Sequence, residues 1–288
     1  MNEPRFWSDR MNILYREQIQ QPVFNDSYTD FSEDTLLGVP FQTIRDEVIV
    51  KGRANFSTEY KYSDSVTLTA DQKVLLYCFI NFKKHFYACV ESFHQNRDSL
   101  SRWHSLKSPY LIDLGCGPAT AGLAMCDCIP GVKWNYLGID TAVSMRTMAN
   151  QLLTAAKSSG LLLPDSDVSF FPAWTAPASN QLPRDSALLL VCSYFFASAS
   201  INTSVLRSLA TWVKSLVDEP GRTVVLFAYL NSTNPWSNTN YEYFKTLLGL
   251  DPLAHSPTQT EVVFRKKQSS SVLGSDTFLH ELITLKGD

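Results

Sequence analysis

Between residues 70 and 96, apolar side chains recur at helical intervals: Val74, Leu75, Cys78, Phe79, Phe82, Phe86, Cys89, Val90 and Phe93. Thr69 and Gln72 stand just before this run with the spacing of a capping box, so the pattern predicts one long helix over about 70–96. From residue 110 the period changes, and short apolar runs alternate with helical stripes. Runs at 110–114, 132–139, 168–171, 187–192 and 223–229 predict five strands. Helices are predicted over about 119–126 and 142–158, and a third carries Val205, Leu206, Leu209, Trp212, Val213 and Leu216. A further helix near 241–248 is followed by two strands at 261–265 and 277–285, joined by a Ser/Gly loop. Seven strands alternating with helices predict an α/β fold whose sheet is mostly parallel.

The first 68 residues follow another pattern. An amphipathic helix near 4–21 places Phe6, Trp7, Met11, Leu14, Tyr15 and Ile19 on a face, and a stretch rich in Ser, Asp and Tyr follows. Residues 1–100 are therefore expected to form a helical extension capping the domain of residues 101–288. The 44% hydrophobic and 18% charged fractions of this 288-residue chain suit a globular protein with a substantial core. A formal charge of -3 gives no general attraction to a polyanion, and the basic runs Lys83-Lys84-His85 and Arg265-Lys266-Lys267 are short enough to be solvated element ends. The N-terminus lacks the apolar stretch of a signal peptide, and the apolar run at 187–199 is too short to span a bilayer. Six cysteines without a C-x-x-C pair or nearby histidines argue against a metal site, and several fall in apolar patterns, so a reducing cytoplasm is expected.

The segment richest in chemistry is Leu111-Ile112-Asp113-Leu114-Gly115-Cys116-Gly117-Pro118-Ala119-Thr120. A strand that ends in Asp-Leu-Gly-x-Gly leaves two turn positions without side chains, so backbone can approach a ligand while the next helix points its amide dipole at it. A second strand ends at Asp140, 23 residues beyond Gly117. A carboxylate there can accept hydrogen bonds from two ribose hydroxyls, and it can also cap the helix that begins near Ala142. A nicotinamide dinucleotide site uses a similar strand, turn and acid, but it wants a third glycine where this chain has Thr120, and Asp113 would repel a pyrophosphate.

These two segments resemble the cofactor motifs of class I S-adenosylmethionine-dependent methyltransferases, which have a Rossmann-like sheet with an antiparallel last strand. The resemblance implies that Gly115, Cys116, Gly117 and Pro118 pack against the methionine part of the cofactor and that Asp113 helps hold its amino group. Asp140 and Thr141 would face the ribose, Ala173 and Trp174 the adenine, and Cys192 and Ser193 the active-site loop. Trp174 has an ordinary alternative as a loop aromatic covering the core. Cys192-Ser193-Tyr194-Phe195 stands where enzymes that methylate exocyclic amines of bases often carry Asn or Asp before Pro-Pro and an aromatic, which disfavours that subclass.

A narrower similarity, through the run from Leu76 to Lys84 and Val191-Cys192-Ser193-Tyr194, is to methyltransferase-like proteins of small ribosomal subunits. It implicates Tyr77, Asn81 and Lys84 in the pocket, but those proteins carry a downstream cysteine cluster and no cysteine follows Cys192 here. Acceptor-side candidates are Tyr194, as a catalytic residue, and Asn231 and Tyr241, which bound an amide-rich stretch expected as a loop at the carboxyl ends of the strands. His85, His94 and His104 sit in no motif and are read as packed or surface residues. The favoured acceptor is a small molecule or peptide, and the rival reading is a non-catalytic scaffold that keeps the fold.

Overall fold

The computed structural model describes residues 7–174, 180, 182–251, 254–265 and 273–287. Its centre is a seven-stranded sheet of β1 (Tyr110–Leu114), β2 (Asn135–Ile139), β3 (Val168–Phe171), β4 (Leu188–Ser193), β5 (Val225–Ser232), β6 (Thr258–Arg265) and β7 (Leu273–Lys286). The spatial order is β6-β7-β5-β4-β1-β2-β3. Strands β3, β2, β1, β4 and β5 are mutually parallel, and β7 runs antiparallel between β5 and β6. This is the Rossmann-like methyltransferase sheet, with its last strand reversed.

The chain builds outward from β1 through β2 to β3, then returns to the other side of β1 for β4 and β5. The carboxyl ends of β1 and β4 therefore flank the point where the winding reverses, the place at which open α/β sheets leave a crevice. Every residue of β1 and β2 is buried, which is why these strands read as continuous apolar runs with no alternation.

Helices cover both faces. On one side lie α2 (Ala70–Gln95), α4 (Thr120–Cys128) and α5 (Val143–Ser158), whose Phe82, Leu123 and Leu152 share a core with Leu111 and Leu189 of the sheet. On the other side α6 (Thr203–Asp218) and α7 (Pro235–Leu248) pack Leu209 and Phe244 against Ile112, Leu190 and Phe227. Helix α3 (Arg97–Ser105) links α2 to β1 and anchors Trp103, whose indole N–H donates to the carbonyl of Ala187 at 3.1 Å.

The amino-terminal helix α1 (Asp9–Tyr15) continues through a π-turn at Arg16–Gln20 into a last turn at Gln21–Phe24. It begins later than the sequence pattern suggests because Ser8 caps it, accepting from the Met11 amide at 3.2 Å; Pro4 and Phe6 lie outside the described residues. Met11, Leu14, Tyr15 and Ile19 belong to the same core as α2, α4 and α5. The polar stretch that follows forms two small antiparallel ribbons, Thr35–Leu36 with Val39–Pro40 and Tyr60–Lys61 with Thr67–Leu68. They enclose a third apolar cluster beneath the start of α2, with Val23, Leu36, Val39, Ile44, Leu68 and Leu76.

One expected loop is not a loop. Strand β5 runs to Ser232 and α7 starts at Pro235, so the amide-rich stretch from Asn231 to Tyr241 is nearly all regular structure. Asn234 caps α7 by accepting from the Trp236 amide at 3.1 Å, and proline at the first helical position suits a site whose N–H has no helical partner. No helix among the described residues is long and apolar enough to cross a membrane.

The length of α2 rests on its amino-terminal cap. Thr69 accepts from the Gln72 amide at 3.2 Å while the Gln72 side chain accepts from the Thr69 amide at 2.9 Å. Thr69→Ala is expected to lower unfolding free energy by about 1 kcal/mol in urea titration, the usual worth of such a cap. An unchanged midpoint would show that packing alone fixes this end of the helix.

Candidate functional site

Beyond Leu114 the backbone turns sharply, with φ of +65° at Gly115, +48° at Gly117 and +57° at Ala119, all in the left-handed region where a side chain is strained. The amides of Gly115 and Cys116 both donate to the carbonyl of Ile139, at 2.8 and 3.0 Å, so the bend is tied to the end of β2. A Cβ on Gly115 would lie 2.7 Å from Phe195 Cδ2, whereas one on Gly117 would meet nothing closer than Met145 Sδ at 3.9 Å. Phe195 thus covers the first glycine, and space is left over the second. Cys116 and Pro118 are buried beneath the turn.

Asp140 sits against this bend. Its Oδ2 accepts from the Gly117 amide at 3.0 Å and its Oδ1 from the Ala142 amide at 2.9 Å. Each oxygen has taken one amide and keeps acceptor capacity for another donor. Burial raises the carboxyl's pKa, opposed by those two hydrogen bonds and by the Arg146 charge. Arg146 reaches the carbonyls of Asp140 and the exposed Thr141, holding the strand end from below. Helix α5 starts at Val143 behind Ala142 with no side-chain cap, so Asp140 fixes the Thr141–Ala142 turn ahead of the helix and does not cap it, and its two oxygens keep lone pairs for a ligand.

Asp113 lies deeper, 1% exposed, and accepts from the Tyr136 hydroxyl at 2.8 Å. Burial, and secondarily the Asp140 charge, push its pKa up to about 7, against the lowering effect of Tyr136. It is a carboxyl poised between neutral and ionised near physiological pH. Any cation delivered beside it favours the ionised form.

Around the bend the structure gathers several of the other candidates. Trp174 meets Phe195 edge-on with ring centroids 6.1 Å apart and donates its indole N–H to Ser208 at 3.1 Å, and half-buried Ala173 precedes it. Ser193 lies 3.5 Å from the Cys89 sulfur on α2. Tyr77 is close enough to Asp140 for the carboxylate's charge to raise its pKa, and its hydroxyl lies 3.2 Å from His85 Nδ1. Asn81 is half-buried on α2 midway between them in sequence, and Lys84 pairs with Asp276 of β7 at 3.0 Å.

Three candidates belong elsewhere. Cys192 is fully buried in the core on the α6 and α7 side of the sheet. Asn231 is fully buried as well, its amide clamping the start of α7 through Ser237 at 2.7 Å and its carbonyl accepting from Ser232. Tyr241 stacks on Tyr229 at 3.6 Å within the same core and donates to Glu281 at 2.8 Å. The substrate-side expectation for Asn231 and Tyr241 rested on a loop that the chain does not form, and their polar atoms are used in holding β5, α7 and β7 together.

His85 is the residue that sequence reasoning passed over. Its ring lies on Tyr194 with centroids 4.1 Å apart and planes 23° from parallel. The available signal was the four-residue spacing of Tyr77, Asn81 and His85, which puts three polar side chains on one stripe of the helix.

No protein-family model matches the chain, and no curated protein matches it. Solved structures do resemble it. A S-adenosyl-L-methionine-dependent methyltransferase from Methanococcus maripaludis is 14% identical, with a TM-score of 0.42 over 76% of this chain and 94% of that one. A precorrin-6y C5,15-methyltransferase from Geobacter metallireducens gives 12% and 0.41 over 66% and 87%. The O-methyltransferase of tomaymycin synthesis from Streptomyces achromogenes, solved in complex with SAM, gives 15% and 0.40 over 71% and 90%. The fold assignment stands on the strand order and polarity described above.

Two measurements probe this geometry. Gly115→Ala adds a clash with Phe195 to the left-handed penalty, and Gly117→Ala adds the penalty alone, about 1 kcal/mol. Denaturant titration is expected to rank Gly115→Ala as more destabilising, and Phe195→Ala is expected to relieve part of that difference. The raised pKa of Asp113 also predicts a slope: between about pH 4 and 7 the unfolded chain loses a proton that the folded chain keeps. Folded stability should therefore fall with rising pH, by at most about 1.4 kcal/mol per unit, and level off above 7. Comparison of wild type with Asp113→Asn isolates that contribution; identical profiles would place its pKa near the ordinary value.

Proposed function

We propose that this protein is an S-adenosylmethionine-dependent methyltransferase acting on a small-molecule or peptide acceptor. The observation that carries the reading is the contact between the Gly117 amide and the Asp140 carboxylate at the reversal point of the sheet, which puts a side-chain-free surface and a spare acceptor side by side. Space over Gly117 and free lone pairs on both Asp140 oxygens fit an adenosyl group.

In this reading Asp140, with Thr141 beside it, accepts the ribose hydroxyls, and Trp174 with Ala173 borders the adenine. Gly117 presents backbone to the amino-acid part on a bend shaped by Gly115, Cys116 and Pro118, and Asp113 receives its ammonium directly or through water. That cation draws the Asp113 proton off, so binding is tighter above pH 7 than below it. Ser193 at the end of β4 marks where the acceptor meets the cofactor, while Cys192 before it packs in the core behind the strand. When bound, S-adenosylmethionine supplies a methyl group on a sulfonium, whose bonding pair returns to sulfur as the acceptor's lone pair forms the new bond. The chain's task is then alignment and exclusion of water, and the acceptor's proton passes to solvent without a dedicated base.

Residues 1–100 serve in this reading as a cap beside the site. All six cysteines are free, which suits a reducing compartment such as the cytoplasm.

Isothermal titration with S-adenosylmethionine tests the proposal. Wild type is expected to bind it and to ignore NAD, and Asp140→Ala to weaken binding by about 10- to 100-fold, the worth of one or two hydrogen bonds to a charged group. Asp140→Asn keeps one acceptor oxygen and should fall between. Failure of well-folded wild type to bind would end this assignment, and formation of S-adenosylhomocysteine in a metabolite screen would establish turnover.

A further inference from the structure

Tyr77 and His85 lie eight residues apart on α2, about two turns, and so face the same way. The Tyr77 hydroxyl holds His85 Nδ1 at 3.2 Å, and the imidazole lies flat against Tyr194. Tyr194 is the first residue after β4 and stands at φ +58°, a left-handed conformation that a tyrosine adopts only when its surroundings impose it. Its amide donates to the carbonyl of Leu230 at 2.8 Å, fixing the turn to β5. Three constraints therefore converge on this ring: the strained turn, the stack and the hydrogen bond behind it.

The atom they position is unsatisfied. Tyr194 Oη is buried and has no hydrogen-bond partner in the structure. Buried hydroxyls are nearly always paired, since an unpaired one has given up water for nothing. Its electrostatic neighbours are Asp276, Cys89, Tyr77 and Tyr229, and Asp276 is already engaged by Lys84. The other groups are neutral: burial pushes the Cys89 thiol up to about 12 and, helped by the charges of Lys84 and Lys51, the His85 imidazole down to about 3. The surrounding surface is aromatic, with Phe56 edge-on to Tyr77 at 5.3 Å.

We propose that Tyr194 Oη is the anchor of the methyl acceptor, bonding the un-ionised hydroxyl of a small aromatic molecule, with His85 and Tyr77 as the positioning pair that holds the Tyr194 ring. This rests on the methyltransferase reading and adds a substrate class to it. A charged acceptor would lose its hydration in a place where the cations Lys84 and Lys51 are balanced by Asp276 and Asp140, and a neutral hydroxyl supplies the partner that Tyr194 lacks. Aromatic walls favour a planar body over a flexible chain.

The test uses the full chain with S-adenosylhomocysteine and phenol as the neutral probe, followed by saturation-transfer NMR, with benzoate and benzylamine as charged controls. Wild type is expected to bind phenol saturably and to bind neither ion comparably. Tyr194→Phe keeps the stack and is expected to weaken phenol by about tenfold or more, the loss of one hydrogen bond to a buried group, without lowering the melting temperature. Its affinity for S-adenosylhomocysteine should stay within about twofold. His85→Ala should weaken phenol and His85→Phe should restore it, a pattern that a purely structural histidine would not give. Equal phenol binding by wild type and Tyr194→Phe, no phenol binding by wild type, or equal binding of benzoate would overturn the proposal. Failure of wild type to bind S-adenosylhomocysteine would instead strike the methyltransferase reading, because the phenol comparison is read separately.

Discussion

The carboxylate of Asp140, just beyond the end of β2, ties the turn after β1 to the residue that leads into α5. It does so by satisfying two backbone amides that would otherwise be left near the sheet edge without partners. Because the Ile139 carbonyl takes two further amides of the same turn, the glycine bend is held from both the strand and the side chain beyond it. Everything placed at the carboxyl ends of the strands inherits its position from that junction, including Phe195 over Gly115 and Trp174 at its edge.

The chemistry at that edge is governed by burial more than by paired charges. Asp113, His85, Cys89 and Tyr194 are all driven toward their uncharged forms, and the dominant cause in each case is loss of water. A region made neutral in this way interacts strongly with whatever charge enters it. A cationic ligand gains most from Asp113, whose proton is the one held least firmly near neutral pH.

Much of this was legible in the sequence, and the failures have physical causes. Strands β1, β2, β4 and β5 declared themselves because both faces of the parallel sheet are covered there, so they read as nearly continuous apolar runs between turn residues, and the half-buried edge strand β3 was marked by its length and aromatics. Gly115, Gly117 and Asp140 were readable because backbone curvature and strand endings leave local marks. The stretch from Asn231 to Tyr241 misled because amides are common in loops. Asn234-Pro235 there is an equally good helix start, and Tyr241 and Phe244 already stand one turn apart on a buried face. His85 was hidden for a different reason: its significance comes from Tyr194, over a hundred residues away, and no local pattern encodes that contact.

Helix α2 is buried along most of its length, and its core side chains interlock with α1, α4 and the sheet. Such a helix cannot swing aside as a rigid gate without opening the main core, an excursion as costly as unfolding much of the chain. The short connection after Tyr194 is tied down more lightly, its Ala199 amide donating to the Gly52 carbonyl at 2.7 Å. Parting Gly52 from Ala197 and Ala199 disturbs only a surface contact and leaves the hydrophobic interior intact, so a local excursion there costs far less than any displacement of α2.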